Sequence, residues 1–91
     1  MGDIHLVKRK GHIHPFDEKK LYGSCYAACL SAHVEHTKAE KISEMVTREI
    51  KKWIKPKKKL TSDMIFKEVG RVLKKYDKNA AFMYTTHRDI S

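Results

Sequence analysis

The sequence predicts a mainly α fold of the α+β type: a four-helix bundle capped by a small N-terminal β-hairpin or three-stranded sheet. Three observations lead there. Apolar residues recur at helical spacing through long segments after Leu21, an alternating stretch at residues 4 to 9 precedes them with Gly11 as its turn, and Pro15 and Pro56 interrupt the chain between periodic segments. The 91 residues suffice for one domain with a single modest core.

Each element has its own signal. Ile4, Leu6 and Val7 mark a first short strand, and His12-Ile13-His14 runs back as a second. Pro15 stops the ladder, and Asp17 is a good N-cap for a helix that begins at Glu18. From Leu21 to about Val34 the residues Tyr22, Cys25, Tyr26, Ala28, Cys29 and Leu30 give that helix a broad apolar face. Thr37 followed by Glu40 has the form of a capping box for a second helix, whose inner stripe reads Ile42, Met45, Val46, Ile50, Trp53 and Ile54 before Pro56 ends it. Lys57 to Leu60 reads as a third strand or an extended connector. Thr61 or Ser62 then caps a third helix with Met64, Ile65, Val69, Val72 and Leu73 inward, and Asp77 starts a last one through Ala81, Phe82 and Tyr84.

Composition narrows the function classes. With 41% apolar and 34% charged residues the chain is that of a folded protein rather than a low-complexity one. No stretch reaches the roughly 18 to 20 apolar residues of a membrane span, and the first residues lack the apolar core of a secretory signal, so a cytoplasmic protein without membrane attachment is expected. Cys25 and Cys29, four residues apart on one helix, read as reduced core thiols. Together with His33 and His36 they form a tempting metal set, yet that set spreads along about 16 Å of helix and cannot enclose one ion. No nucleophile elbow, HExxH or paired-carboxylate motif is present, and the scattered glycines exclude a phosphate loop of the GxxxxGK[ST] kind; catalysis is not expected.

A net charge of +9 favours polyanionic partners. The charge falls in two regions of different character. Residues 51 to 59 (KKWIKPKKK) hold six lysines and no acid, and read either as a solvated helix end or as a sequence-blind nucleic-acid contact. In residues 8 to 20 the basic groups are mixed with Asp17 and Glu18, and here folding can bring Lys8 and Arg9 from the hairpin near Lys20 from the first helical turn. Such convergence suits a di- or triphosphate: arginine supplies a planar fork, lysine a point charge, and a helix start its N–H groups. Phe16 and Val7 can form an apolar slot for a base, and Asp17 can accept from an amine or a ribose hydroxyl.

The order of these features resembles the ATP-cone, the nucleotide-binding regulatory domain of ribonucleotide reductases and of the transcriptional repressor that controls their operons. Val7-Lys8-Arg9-Lys10-Gly11 is similar to that family's V-x-K-R-[DN]-G start, and His14-Pro15-Phe16-Asp17 with Lys20-Leu21 to its E-P-F-D-x-x-K-[IL]. Leu60-Thr61-Ser62-Asp63 stands where the family has its [VI]-T-S entry to the third helix, and Ala81-Phe82-Met83-Tyr84 with His87-Arg88-Asp89-Ile90 resembles its closing segment.

The resemblance implies ATP or dATP held between sheet and helices, with Mg2+ on the phosphates. It places Lys8, Arg9, Lys20 and Thr61 on the phosphates, and Val7, His14, Phe16 and Asp17 along base and ribose. Lys10, His14 and Met83 depart from the family's usual residues. The expected role is that of a stand-alone, non-catalytic sensor which modulates a partner such as a ribonucleotide reductase in trans, or its own oligomeric state; the alternative is a small basic helical protein that binds nucleic acid.

Overall fold

The structure, a computed structural model, describes residues 5–86. Ile4 and the closing His87-Arg88-Asp89-Ile90 lie outside the described residues. Strand β1 (Leu6–Arg9) pairs antiparallel with β2 (His12–Pro15), and its other edge receives β3 (Leu60–Thr61) in parallel, giving the order β2-β1-β3. The segment after Pro56 thus supplies a third strand. Lys10 and Gly11 turn the hairpin with φ of 45° and 83°, the two positive values a type I′ turn demands. Glycine adopts such a φ freely; at Lys10 the side chain crowds the backbone.

Helix α1 (Glu18–Ser31) starts at Asp17, whose Oδ1 accepts from the N–H of Lys19 at 3.0 Å and of Lys20 at 3.2 Å. It ends at Ser31, short of the Val34 that its apolar pattern suggests. The reason is a Schellman closure: His33 takes φ 64°, its N–H bonds Leu30 O at 3.0 Å, and the N–H of Val34 bonds Cys29 O at 2.9 Å. Only Glu35 then remains before α2 (His36–Ile54). The expected capping box is therefore replaced: Glu35 is the N-cap, without a side-chain cap bond, and Thr37 lies inside the first turn.

On α2 the inner row is Ala39, Ile42, Val46, Ile50 and Ile54, all buried. Met45, read as inward, is 41% exposed, because it sits one residue and hence about 100° away from Val46 around the helix. Thr61 caps α3 (Ser62–Tyr76), its Oγ1 accepting from Met64 N at 3.1 Å. Met64 itself, in that first turn, is 36% exposed and not the inner residue its spacing suggests. Val69, Val72 and Leu73 fill the core as read. Asp77 Oδ1 accepts from Ala80 N at 2.8 Å and so caps α4 (Lys78–Thr86), which buries Ala80 and Ala81 and leaves Phe82 outside.

Helix α1 packs on α2 and α4, and α3 packs on α4 and α2. At the α3–α4 crossing a Cβ on Gly70 would stand 3.1 Å from Thr85 Cγ2, so that approach depends on the missing side chain. Cys25 and Cys29 are free, fully buried thiols, and desolvation pushes the Cys25 thiol up to about 12. They are core residues, inert as nucleophiles. A polar clamp ties α2 to α3 at the rim: Glu49 accepts from Lys75 Nζ at 2.9 Å and from the Tyr76 hydroxyl.

Candidate functional site

The strand register distributes the hairpin's polar groups. Val7 stands opposite His14 on one side and Leu60 on the other, whereas Lys8 stands between Ile13 and Thr61. Partners share a face of the sheet and successive residues alternate. Val7, Leu60, His14 and Arg9 therefore lie on one face, and Lys8, Thr61, Leu6 and Ile13 on the other. Burial agrees: Val7 and Leu60 are 8% and 4% exposed, while Leu6 and Ile13 are 58% and 64% exposed. Lys8 and Arg9, adjacent in sequence, thus leave the strand on opposite faces.

The predicted phosphate residues come together in part. Lys8 and Thr61 are direct register partners, which sets a lysine beside the N-cap of α3. Thr61 uses an acceptor lone pair for that cap and keeps its hydroxyl hydrogen as a donor. Lys20 sits in the exposed first turn of α1, the helix that follows β2 in the chain. Arg9 is half-buried at the end of β1, on the face that carries Val7.

Of the predicted base and ribose residues, Phe16 is half-buried against the core and tied to the start of β1 by its N–H, which donates to His5 O at 2.7 Å. Asp17 is engaged as the cap of α1 through Oδ1. His14 is exposed and stacked on His12, with ring centroids 6.2 Å apart. Among the described residues no three His, Cys, Asp or Glu side chains gather as a metal site, so any divalent ion here would depend on ligand oxygens for most of its coordination.

An open cleft lies elsewhere. A cleft of about 850 Å³ separates the hairpin's end and the start of α1 from the second half of α2. Phe16 is the one predicted site residue along it; the opposite wall carries one acid, Glu44, and four cations, Arg48, Lys51 and Lys52 of α2 and its C-cap Lys55. Sequence reasoning assigned the last three to the charged run at 51 to 59 and left Arg48 out. The signal was available: 48, 51, 52 and 55 repeat at three and four, so they share one helical face. Between these walls sits Thr47, 8% exposed, with an Oγ1 that has no hydrogen-bond partner among the described residues. Ser43, one turn earlier, shows the ordinary solution, donating to Ala39 O at 2.7 Å.

A family model described as the ATP cone domain matches residues 4–90. No curated protein and no solved structure matches the chain. The family match spans nearly all of the sequence, including the hairpin, the three helix starts capped by Asp17, Thr61 and Asp77, and the Leu60-Thr61-Ser62 entry to α3 described above. ATP-cone domains bind ATP or dATP and serve regulation rather than catalysis. The chain belongs to the ATP-cone family.

Proposed function

We propose that this chain is a non-catalytic regulatory module which binds ATP or dATP at the sheet end of the bundle and reports occupancy to a partner or to its own state of assembly. The observation that carries the reading is the register pair Lys8–Thr61, which sets a strand cation beside a capped helix start within a chain that matches the ATP cone throughout. In this reading Lys8, Lys20 and the Thr61 hydroxyl hold phosphate oxygens, and Arg9 reaches them from the end of β1. Phe16 stacks on the base, His14 and the capping Asp17 line the base and ribose edges, and Val7, buried on the face turned to the bundle, fixes the strand that carries Lys8. Mg2+ would neutralise phosphate oxygens and take most of its ligands from them and from water.

Regulation needs a differential. A nucleotide shifts an equilibrium only by binding one arrangement better than another, and the hairpin supplies the movable part, since every residue of β2 is exposed. The regulated target in this reading is a ribonucleotide reductase-type enzyme or a second copy of the chain.

Calorimetric titration with ATP, dATP and GTP, with and without Mg2+, tests the assignment. Saturable binding of the adenine nucleotides, lost in Lys8→Ala and in Lys20→Ala while the helical signal stays intact, is expected. Undiminished binding by both variants would refute the site.

A further inference from the structure

The basic cleft on α2 is a different feature from the sheet-end site, for none of Lys8, Arg9, Lys20 or Thr61 lines it. We propose that it is a docking groove for an acidic amphipathic helix of a partner protein. Its cations are laid out in a row: Arg48, Lys51 with Lys52, and the C-cap Lys55 extend about 10 Å along the α2 axis, with the acid Glu44 one turn before Arg48 at the far end. One phosphate group needs donors that converge on its oxygens. A row repeating once per turn instead matches carboxylates placed one turn apart on a second helix.

The rest of the groove fits the same occupant. Phe16, Tyr22 and Ile54 give it an apolar side able to receive an aliphatic or aromatic anchor. Thr47 brings a buried hydroxyl that lacks a partner among the described residues, a donor ready for an incoming carboxylate or carbonyl. Among the described residues Arg48, Lys52 and Lys55 make no ion pair, whereas Lys51 is held by Glu18 Oε2 at 3.2 Å across the groove. Both members of that pair are half exposed, at 53% and 52%, so the bond is cheap to exchange. Glu18 thereby occupies the place of a partner's acid. Net charge disfavours the alternative of a second copy, since two chains of +9 repel.

The groove is also wired to the sheet-end site. Phe16 forms its wall, and in the function proposed above the same ring meets the base. On that reading, nucleotide occupancy changes the groove through Phe16, and this coupling, unlike docking itself, rests on the nucleotide assignment.

The experiment uses the full chain and a labelled 20-residue helical peptide with glutamates one turn apart beside a leucine stripe, read by fluorescence anisotropy without nucleotide. A matched peptide with glutamine for glutamate is the control. The acidic peptide should bind and the control should not. Arg48→Glu with Lys52→Glu should weaken binding at least tenfold, Thr47→Val should weaken it several-fold, and Glu18→Gln, which releases Lys51, should tighten it several-fold. Lys58→Glu with Lys59→Glu, outside the groove, should change it far less. The proposal is overturned if the two double reversals weaken binding equally, because the interaction is then general charge attraction. It is also overturned if the Arg48/Lys52 reversal abolishes ATP binding, because the groove is then the nucleotide site. ATP titration of the wild-type chain is scored separately: its failure removes the sheet-end assignment and the coupling, and leaves docking standing on the peptide result.

Discussion

The helical body and the hairpin are held by different forces. In the body Cys25, Val46, Ile50, Val69 and Leu73 are completely buried, and four helices interlock around them. In the hairpin only Val7 is buried, and every residue of β2 is exposed. Shape in the body therefore follows from excluding apolar surface from water, whereas shape in the hairpin follows from a turn, a ladder and two rungs to β3. A region with few buried contacts opens at low free energy, and such regions are the ones a ligand can stiffen. The contrast explains why the cations assigned to phosphate sit on or beside the hairpin.

The largest effect should separate the two regions outright. Leu73→Ala, in the body, should destabilise by about 3 kcal/mol, while Ile13→Ala, on the sheet's open face, should stay within about 0.5 kcal/mol; denaturant melts of the two variants make the comparison. Equal losses would mean that the hairpin is as much a part of the core as the helices.

Next comes the joint between them. Thr61→Ala removes the cap of α3 at the point where β3 ends, and should cost about 1 kcal/mol, with Thr61→Ser recovering most of it. Because the same hydroxyl is assigned to phosphate, Thr61→Ala should also weaken ATP binding, whereas Asp77→Ala, a comparable cap loss in the body, should leave it unchanged.

Smaller again are two residues in left-handed conformations, one per region. Lys10→Asn in the hairpin and His33→Gly in the body should each stabilise by about 0.5 to 1 kcal/mol in chemical melts. Failure at Lys10 alone would show that the turn relaxes to another type when the helices hold firm.

The smallest effect lies at the rim of the body and depends on pH. Hydrogen bonds from Tyr76 and then Lys75 hold the Glu49 carboxyl below its usual range. A carboxyl depressed in the folded state adds stability above its unfolded pKa and loses it as pH falls through the folded one. Tyr76 titrates the opposite way: its hydrogen bond to Glu49 raises it, so its share is present below its ordinary pKa and lost at higher pH. Tyr76→Phe should flatten both limbs of a stability-against-pH curve, with little change in between.

Much of this contrast was legible beforehand, and the failures have physical causes. The periodic rows Ile42, Val46, Ile50 and Val69, Val72, Leu73 gave α2 and α3 their inner faces because burial imposes a period that sequence displays. Asp17, Thr61 and Asp77 announced helix starts because capping needs only neighbours. The early end of α1 was not legible, since its left-handed residue is His33 where glycine is the usual sign; the misplaced capping box followed from that. On the site, the sequence put Lys8 and Arg9 side by side, but strand alternation became decisive only once the register with β3 was known. The groove on α2 needed α1 and the hairpin as its second wall, a relation between distant segments that no local pattern displays.

Hydrogen exchange with and without ATP tests the central claim most directly. Without nucleotide, amides of the hairpin should exchange far faster than those around Ile50 and Leu73. With ATP, protection should rise at Leu6–Arg9, His12–His14 and the first turns of α1 and α3, and change little in the core of the bundle. Protection that leaves the hairpin untouched, or that appears only along α2 between Glu44 and Lys55, would contradict a nucleotide site built on the sheet.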